Sequence, residues 1–131
     1  FHVIEPLRFP FDLHRIKRSA MDYIDSVKIF RHSSFNNFYE ENILNKNNRL
    51  ILASTKGCQD VQEFKFQDND YILFGKESAG VPDFIHSKAH HKVLIKMKNN
   101  QRSLNLAISC GIFLAKAIFL LVNANDLVSV H

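Results

Sequence analysis

The chain has 131 residues, which is room for one domain around one core. Apolar residues make up 46% and charged residues 23%, values that exclude intrinsic disorder, collagen and a coiled coil. Lys and Arg total 17 against 13 acids, so the net charge of +4 permits a polyanionic partner without requiring one.

Phe1-His2-Val3-Ile4 already reads as a strand, so the start is expected to be cut, with a piece missing upstream and nothing before it to act as a signal peptide. Asp12 can cap a helix running to about residue 23, with Leu13, Ile16, Ala20 and Tyr23 on one face. His14, Arg15, Lys17 and Arg18 make this segment basic, and Arg15 and Arg18, three apart, share a face away from the apolar stripe. By itself that is a solvated face; beside a nucleic-acid site it would hold phosphates. Tyr23 either packs beneath the helix or stacks on a base. A strand is predicted over 26–30, then a helix capped by Ser34 with Phe35, Phe38, Glu40 and Glu41 in its first turns. A polar break at 45–48 precedes strands over 50–54, 71–74 and 93–95. Each is short and aliphatic or aromatic, as buried parallel strands are. Between the last two, His86, His90 and His91 lie in a short polar stretch, and His86 and His90 are four apart, the spacing of a metal pair on a helix, but no Glu-rich or Cys-containing third ligand stands near and exposed loop histidines are the commoner reading.

A long helix is predicted after Arg102, capped by Ser103. Its apolar run, 106–122, is shorter than the roughly 20 residues of a membrane span. Ser109, Gly111 and Lys116 interrupt it, which points to a buried core or interface helix. Strand–helix alternation without repeats or linkers predicts a single α/β domain over 1–131, with a mostly parallel sheet flanked by helices. Cys58 and Cys110 have no paired spacing, so a disulfide scaffold and a thiolate metal site are not indicated, and a reduced cytoplasmic setting fits.

Parallel sheets bind ligands outside the carboxyl ends of their strands. Three exits here are small and polar: Thr55-Lys56-Gly57, then Gly75 through Pro82, then Lys96-Met97 through Asn105. Three of the four glycines, Gly57, Gly75 and Gly80, lie in them. Gly75 to Gly80 is no phosphate loop, because Val81-Pro82 follows where Gly-Lys-Ser/Thr would be required, and it is no Gly-x-Gly-x-x-Gly. The bland reading is a turn with Glu77 on the surface. Arg102-Ser103-Leu104-Asn105 places a cation, a hydroxyl and an amide at a helix start, where unpaired N–H groups favour anions. A plain Ser cap is the alternative, weakened by Asn105, a mediocre helix former if it lies inside the first turn. No Ser-His-Asp or Cys-His arrangement supports covalent hydrolysis.

Together these segments resemble the SpoU branch of the SPOUT RNA methyltransferases. Leu73-Phe74-Gly75-Lys76-Glu77-Ser78-Ala79-Gly80-Val81-Pro82 is similar to the family's second motif, Phe-Gly-x-Glu-x-x-Gly-x-Pro. Ile95-Lys96-Met97 through Arg102-Ser103-Leu104-Asn105-Leu106 is similar to its third. Phe1 to Leu7 and Lys17 to Tyr23 are similar to the short TrmL-type tRNA wobble-nucleotide 2′-O-methyltransferases. The resemblance implies a SPOUT fold with a C-terminal trefoil knot, which periodicity cannot show. It implies a homodimer, S-adenosylmethionine as cofactor and tRNA, by its anticodon stem-loop, as partner, without membrane or metal.

By match, Ala53, Thr55, Gly75, Glu77, Ile95, Met97, Ser103 and Leu104 meet the cofactor, and Glu77, Ser103 and Asn105 shape the catalytic site. Arg15, Lys17, Arg18, Tyr23 and Arg102 face RNA on the same reading. Two departures stand out. The family's first motif, with the Arg usually credited with activating the ribose hydroxyl, lies upstream of the strand where this chain begins. Lys96 stands where the family usually has Pro between Ile and Met. The competing readings are a non-catalytic RNA-binding relative, a methyltransferase acting on rRNA or another tRNA position, and a flavodoxin-like small-molecule binder.

Overall fold

The computed structural model describes residues 1–6, 26–57, 59–76, 79–98 and 104–129, the side chains of the last segment to residue 122. The helix expected over 12–23, with Arg15, Lys17, Arg18 and Tyr23, lies outside the described residues, as do Glu77, Arg102 and Ser103. The chain divides into two compact units, Phe1–Asn47 and Asn48–His131.

In the first unit, β1 (His2–Ile4) pairs in parallel with β2 (Phe30–His32), His2 opposite Phe30. The strand expected over 26–30 therefore begins where that prediction ended. Its extent follows its partner: β1 offers three positions, and the pairing opens with Phe30 N–H donating to Phe1 O at 2.9 Å. Helix α1 (Phe35–Tyr39) starts as predicted, with Ser34 Oγ accepting from Asn37 N–H at 3.2 Å. A π-helical turn, Glu40–Leu44, continues it. Phe35, Phe38 and Ile43 are buried here, which is the apolar face that holds so short a helix. His2 Nδ1 lies 2.8 Å from His32 Nε2, and Phe38 packs edge-on against both rings.

In the second unit, β3 (Leu50–Ala53) is central. Leu50, Ile51 and Leu52 are fully buried, a continuous apolar run that needs cover on both faces. After β3 come β4 (Gln59–Asp60), β5 (Tyr71–Phe74), helix α2 (Asp83–Lys88), β6 (His91–Leu94) and helix α3 (Leu106–Ser129). The sheet is all parallel in the order β4-β6-β3-β5. Strand β6 begins two residues before the predicted 93–95. The cause is a reciprocal pair at its base: His90 N–H donates to Leu50 O, and Leu50 N–H donates to His90 Nδ1, both at 2.9 Å. Helix α2 replaces the loop expected around His86. Its sequence signal was Pro82-Asp83 at a helix start.

Ile51, Val61, Phe64, Phe66, Val93, Phe113 and Ala117 form the core of this unit. Arg49 grips Asp70 through two bonds, Nε to Oδ1 at 2.8 Å and Nη2 to Oδ2 at 2.6 Å, and Asp70 also accepts from Gln67 N–H at 2.8 Å. This bidentate pair fastens the loop before β5 to the base of β3. Helix α3 turns Phe113 and Ala117 inward and leaves Ile108, Ile112, Phe119 and Val122 exposed. Among the described residues no helix is long and apolar enough to cross a membrane.

Candidate functional site

Three strand exits of the second unit open into one cleft of about 660 Å³. The exit of β3 supplies Ala53, Ser54, Thr55 and Lys56; that of β5 supplies Phe74, Gly75, Lys76, Gly80 and Val81; that of β6 supplies Ile95, Lys96 and Met97. Leu104, Leu106, Ser109 and Phe113 close the cleft from the α3 side, and Asp83 and His86 of α2 stand on its wall. The volume lies within the range of small-molecule sites, and the lining mixes apolar side chains such as Phe74, Phe113 and Leu104 with polar and charged ones such as Thr55, Asp83, His86 and three lysines.

Backbone geometry builds this cleft. After β3, Ser54 N–H donates to Val93 O at 2.9 Å, and Ser54 Oγ accepts from Lys56 N–H at 3.1 Å. Gly57 then runs so close to β6 that a Cβ would meet Leu94 N and Val93 C at 2.9 Å. After β5 the chain folds into a tight turn. Lys76 N–H donates to Gly80 O at 3.1 Å and Gly80 N–H returns to Lys76 O at 2.7 Å. Gly80 has φ of +65°, and a Cβ on Gly75 would meet Gly80 C at 2.5 Å. At Gly75 the obstacle is space and at Gly80 the left-handed backbone, which strains an L side chain, so both positions favour glycine.

Six of the eight residues matched to a cofactor role, Ala53, Thr55, Gly75, Ile95, Met97 and Leu104, meet on this one cleft; Glu77 and Ser103 lie outside the described residues. Asn105 does something the sequence reading did not foresee. It stands before α3, its Oδ1 accepting from Ala107 N–H and its carbonyl from Ser109 N–H, both at 2.9 Å. That is the pattern of a helix cap, and a poor helix former belongs there. Phe113, 1% exposed and edge-on to Phe74 at 5.4 Å, was missed as a cleft residue, because only the packing of α3 decides which of its apolar residues turns inward.

Of the histidines weighed as a metal pair, His90 is engaged by the Leu50 N–H, and His86 lines the cleft. The neighbouring His91 packs edge-on to Phe64 at 5.2 Å. No three His, Cys, Asp or Glu gather among the described residues.

Residues 1–115 match the SpoU rRNA Methylase family. The chain is 40% identical over 116 residues to a tRNA (cytidine(34)-2′-O)-methyltransferase of Beijerinckia indica, covering 88% of this chain and 72% of that protein. A solved structure described as giving structural insights into the 2-OH methylation of C/U34 on tRNA superposes with a TM-score of 0.85 at 33% identity, over 93% of this chain and 78% of the other. The SpoU methyltransferase AviRb of Streptomyces viridochromogenes, solved with AdoMet, superposes with a TM-score of 0.73 at 23% identity, over 80% of this chain and 41% of its own, a likeness of fold.

Proposed function

This chain belongs to the SpoU rRNA methylase family, and from that premise we propose that it transfers a methyl group from S-adenosylmethionine to the ribose 2′-hydroxyl at the wobble position of tRNA. The observation that carries the reading is the convergence of Ala53, Thr55, Gly75, Ile95, Met97 and Leu104, from four separate segments, on one cleft at the strand ends. When bound, S-adenosylmethionine supplies an electrophilic methyl group on a sulfonium.

The chain's own part is alignment and exclusion of water. The backbone at Gly75 and at the exits of β3 and β6 would hold the cofactor, with Phe74, Phe113 and Leu104 as the apolar floor. Fixing donor and acceptor for in-line attack supplies several kcal/mol of the barrier. Glu77, Ser103 and Asn105 orient ribose and cofactor on this reading, Asn105 by setting the start of α3 rather than from the cleft wall. Arg15, Lys17, Arg18, Tyr23 and Arg102 would hold the anticodon stem-loop, whose unstacked loop base is then read.

The reading takes 1–131 as one SPOUT methyltransferase domain, supported by a family match that runs across both compact units. It includes a C-terminal trefoil knot, as the family resemblance implies. It also includes a homodimer and a cytoplasmic setting, where tRNA is modified.

Calorimetric titration with S-adenosylhomocysteine tests it. Saturable binding of one ligand per subunit is expected. No binding by the folded chain would overturn the cofactor assignment and leave the non-catalytic RNA-binding reading in front.

A further inference from the structure

Three lysines stand on the wall of the cleft, one from each strand exit: Lys56 after β3, Lys76 after β5 and Lys96 after β6. All three are exposed. Among the described residues none of them forms an ion pair, and Asp83 is the one described carboxylate on that wall; Glu77, matched to the cofactor, lies outside the described residues. A single exposed ammonium is ordinary. Three that converge from separate loops on one concave surface repel each other and raise its potential, an arrangement that favours an anion.

The cofactor of the reading above is a poor match for that charge. At neutral pH its one carboxylate is outweighed by its ammonium and sulfonium, so three cations oppose it. An RNA backbone is a good match. In a ribonucleotide the carbon bearing the 2′-hydroxyl adjoins the carbon whose oxygen carries the phosphate to the next nucleotide. A ribose with its 2′-hydroxyl in the cleft therefore brings that phosphate to the cleft's rim. Lys96 adds to the case, since it puts a cation where the resemblance expects Pro, which has no charge to offer.

We propose that Lys56, Lys76 and Lys96 form a seat for the phosphate on the 3′ side of the methylated ribose, an inference that rests on the 2′-O-methylation reading. Such a contact positions the nucleotide without reading its base.

The test uses the full chain saturated with S-adenosylhomocysteine and two synthetic anticodon stem-loop RNAs. One is unmodified; the other carries a neutral methylphosphonate in place of the phosphate 3′ to the wobble ribose. Fluorescence anisotropy at low salt should show the chain binding the unmodified RNA about tenfold more tightly, as a charge-assisted contact predicts. The double variant Lys76→Gln, Lys96→Gln should distinguish the two RNAs by less than about twofold, because the two deletions remove one shared interaction. Its affinity for S-adenosylhomocysteine should hold, and Lys76→Arg with Lys96→Arg should restore the preference.

Equal binding of the two RNAs by the parent chain overturns the seat, as does full preference in the Gln variant. Loss of S-adenosylhomocysteine affinity in that variant also overturns it, by assigning the cations to the cofactor. A parent chain that binds no S-adenosylhomocysteine overturns the 2′-O-methylation reading and this inference with it. One that binds it but shows no phosphate preference overturns this inference alone.

Discussion

His91 sits at the start of β6 with its ring edge against Phe64 and the Arg49 guanidinium nearby. Burial lowers its pKa first, then the charges of Arg49 and His90, with Asp70 opposing in part. Burial likewise lowers the pKa of His2, helped by the charges of His32 and Lys46. A folded state that binds the proton less well than the unfolded chain loses stability as pH falls through the ordinary value of 6.5 toward the lowered one. Above that window the two states bind the proton equally and the term vanishes. Urea midpoints should therefore drop between about pH 7 and pH 5, and His91→Gln should flatten the slope. A variant as steep as the parent chain would assign the titration elsewhere. The same scale shows how partial a residue-level reading can be. Ser34 as a cap was legible because Ser before an apolar helix face has one dominant use. Asn105 was legible only as a misfit for a helix interior, and its position one step outside the helix resolves the misfit.

Among the elements, the turn from Gly75 to Gly80 is the most constrained. Two backbone bonds close it, Gly80 sits in the left-handed region, and Gly75 has no room for a methyl group against Gly80. Gly75→Ala must open the turn, since the atoms it would strike are backbone and cannot swing aside. Affinity for S-adenosylhomocysteine should fall at least about tenfold while the melting temperature moves by a few degrees, the size of an effect of ~1 kcal/mol. Unchanged affinity in calorimetry would remove this turn from the site. Strands β3 and β5 were legible within a residue because an unbroken apolar run has one buried solution. Strand β4, Gln59–Asp60, was not. It is two residues long, polar and at the edge, and it exists because β6 offers it partners.

At the scale of the molecule, α3 presents two apolar faces. Phe113 and Ala117 pack on the sheet, while Ile108, Ile112, Phe119 and Val122 form an exposed stripe on the other side. Exposed stripes of this kind mark interfaces, and the homodimer proposed above would bury this one. Sedimentation velocity should find a dimer in the parent chain and a monomer in Ile112→Glu with Phe119→Glu. A variant that stays dimeric would place the interface elsewhere.

Sequence alone determined the parallel α/β class and pointed to the loops after β3, β5 and β6, which line one cleft. Period, run length and the placement of glycines are local properties, and parallel strands direct their exits to one side. The motifs in Leu73 to Pro82 and Ile95 to Leu106 also determined the family, because the chemistry of one cleft restricts many positions at once. Only the tertiary structure decided which side of α3 faces the cleft, that Asn105 caps the helix, and that Lys56, Lys76 and Lys96 share one wall. The Asn105 cap is local, within four residues, but the three lysines are 20 positions apart and α3 carries apolar residues on several sides. Their arrangement follows from packing against the sheet, which no local pattern encodes.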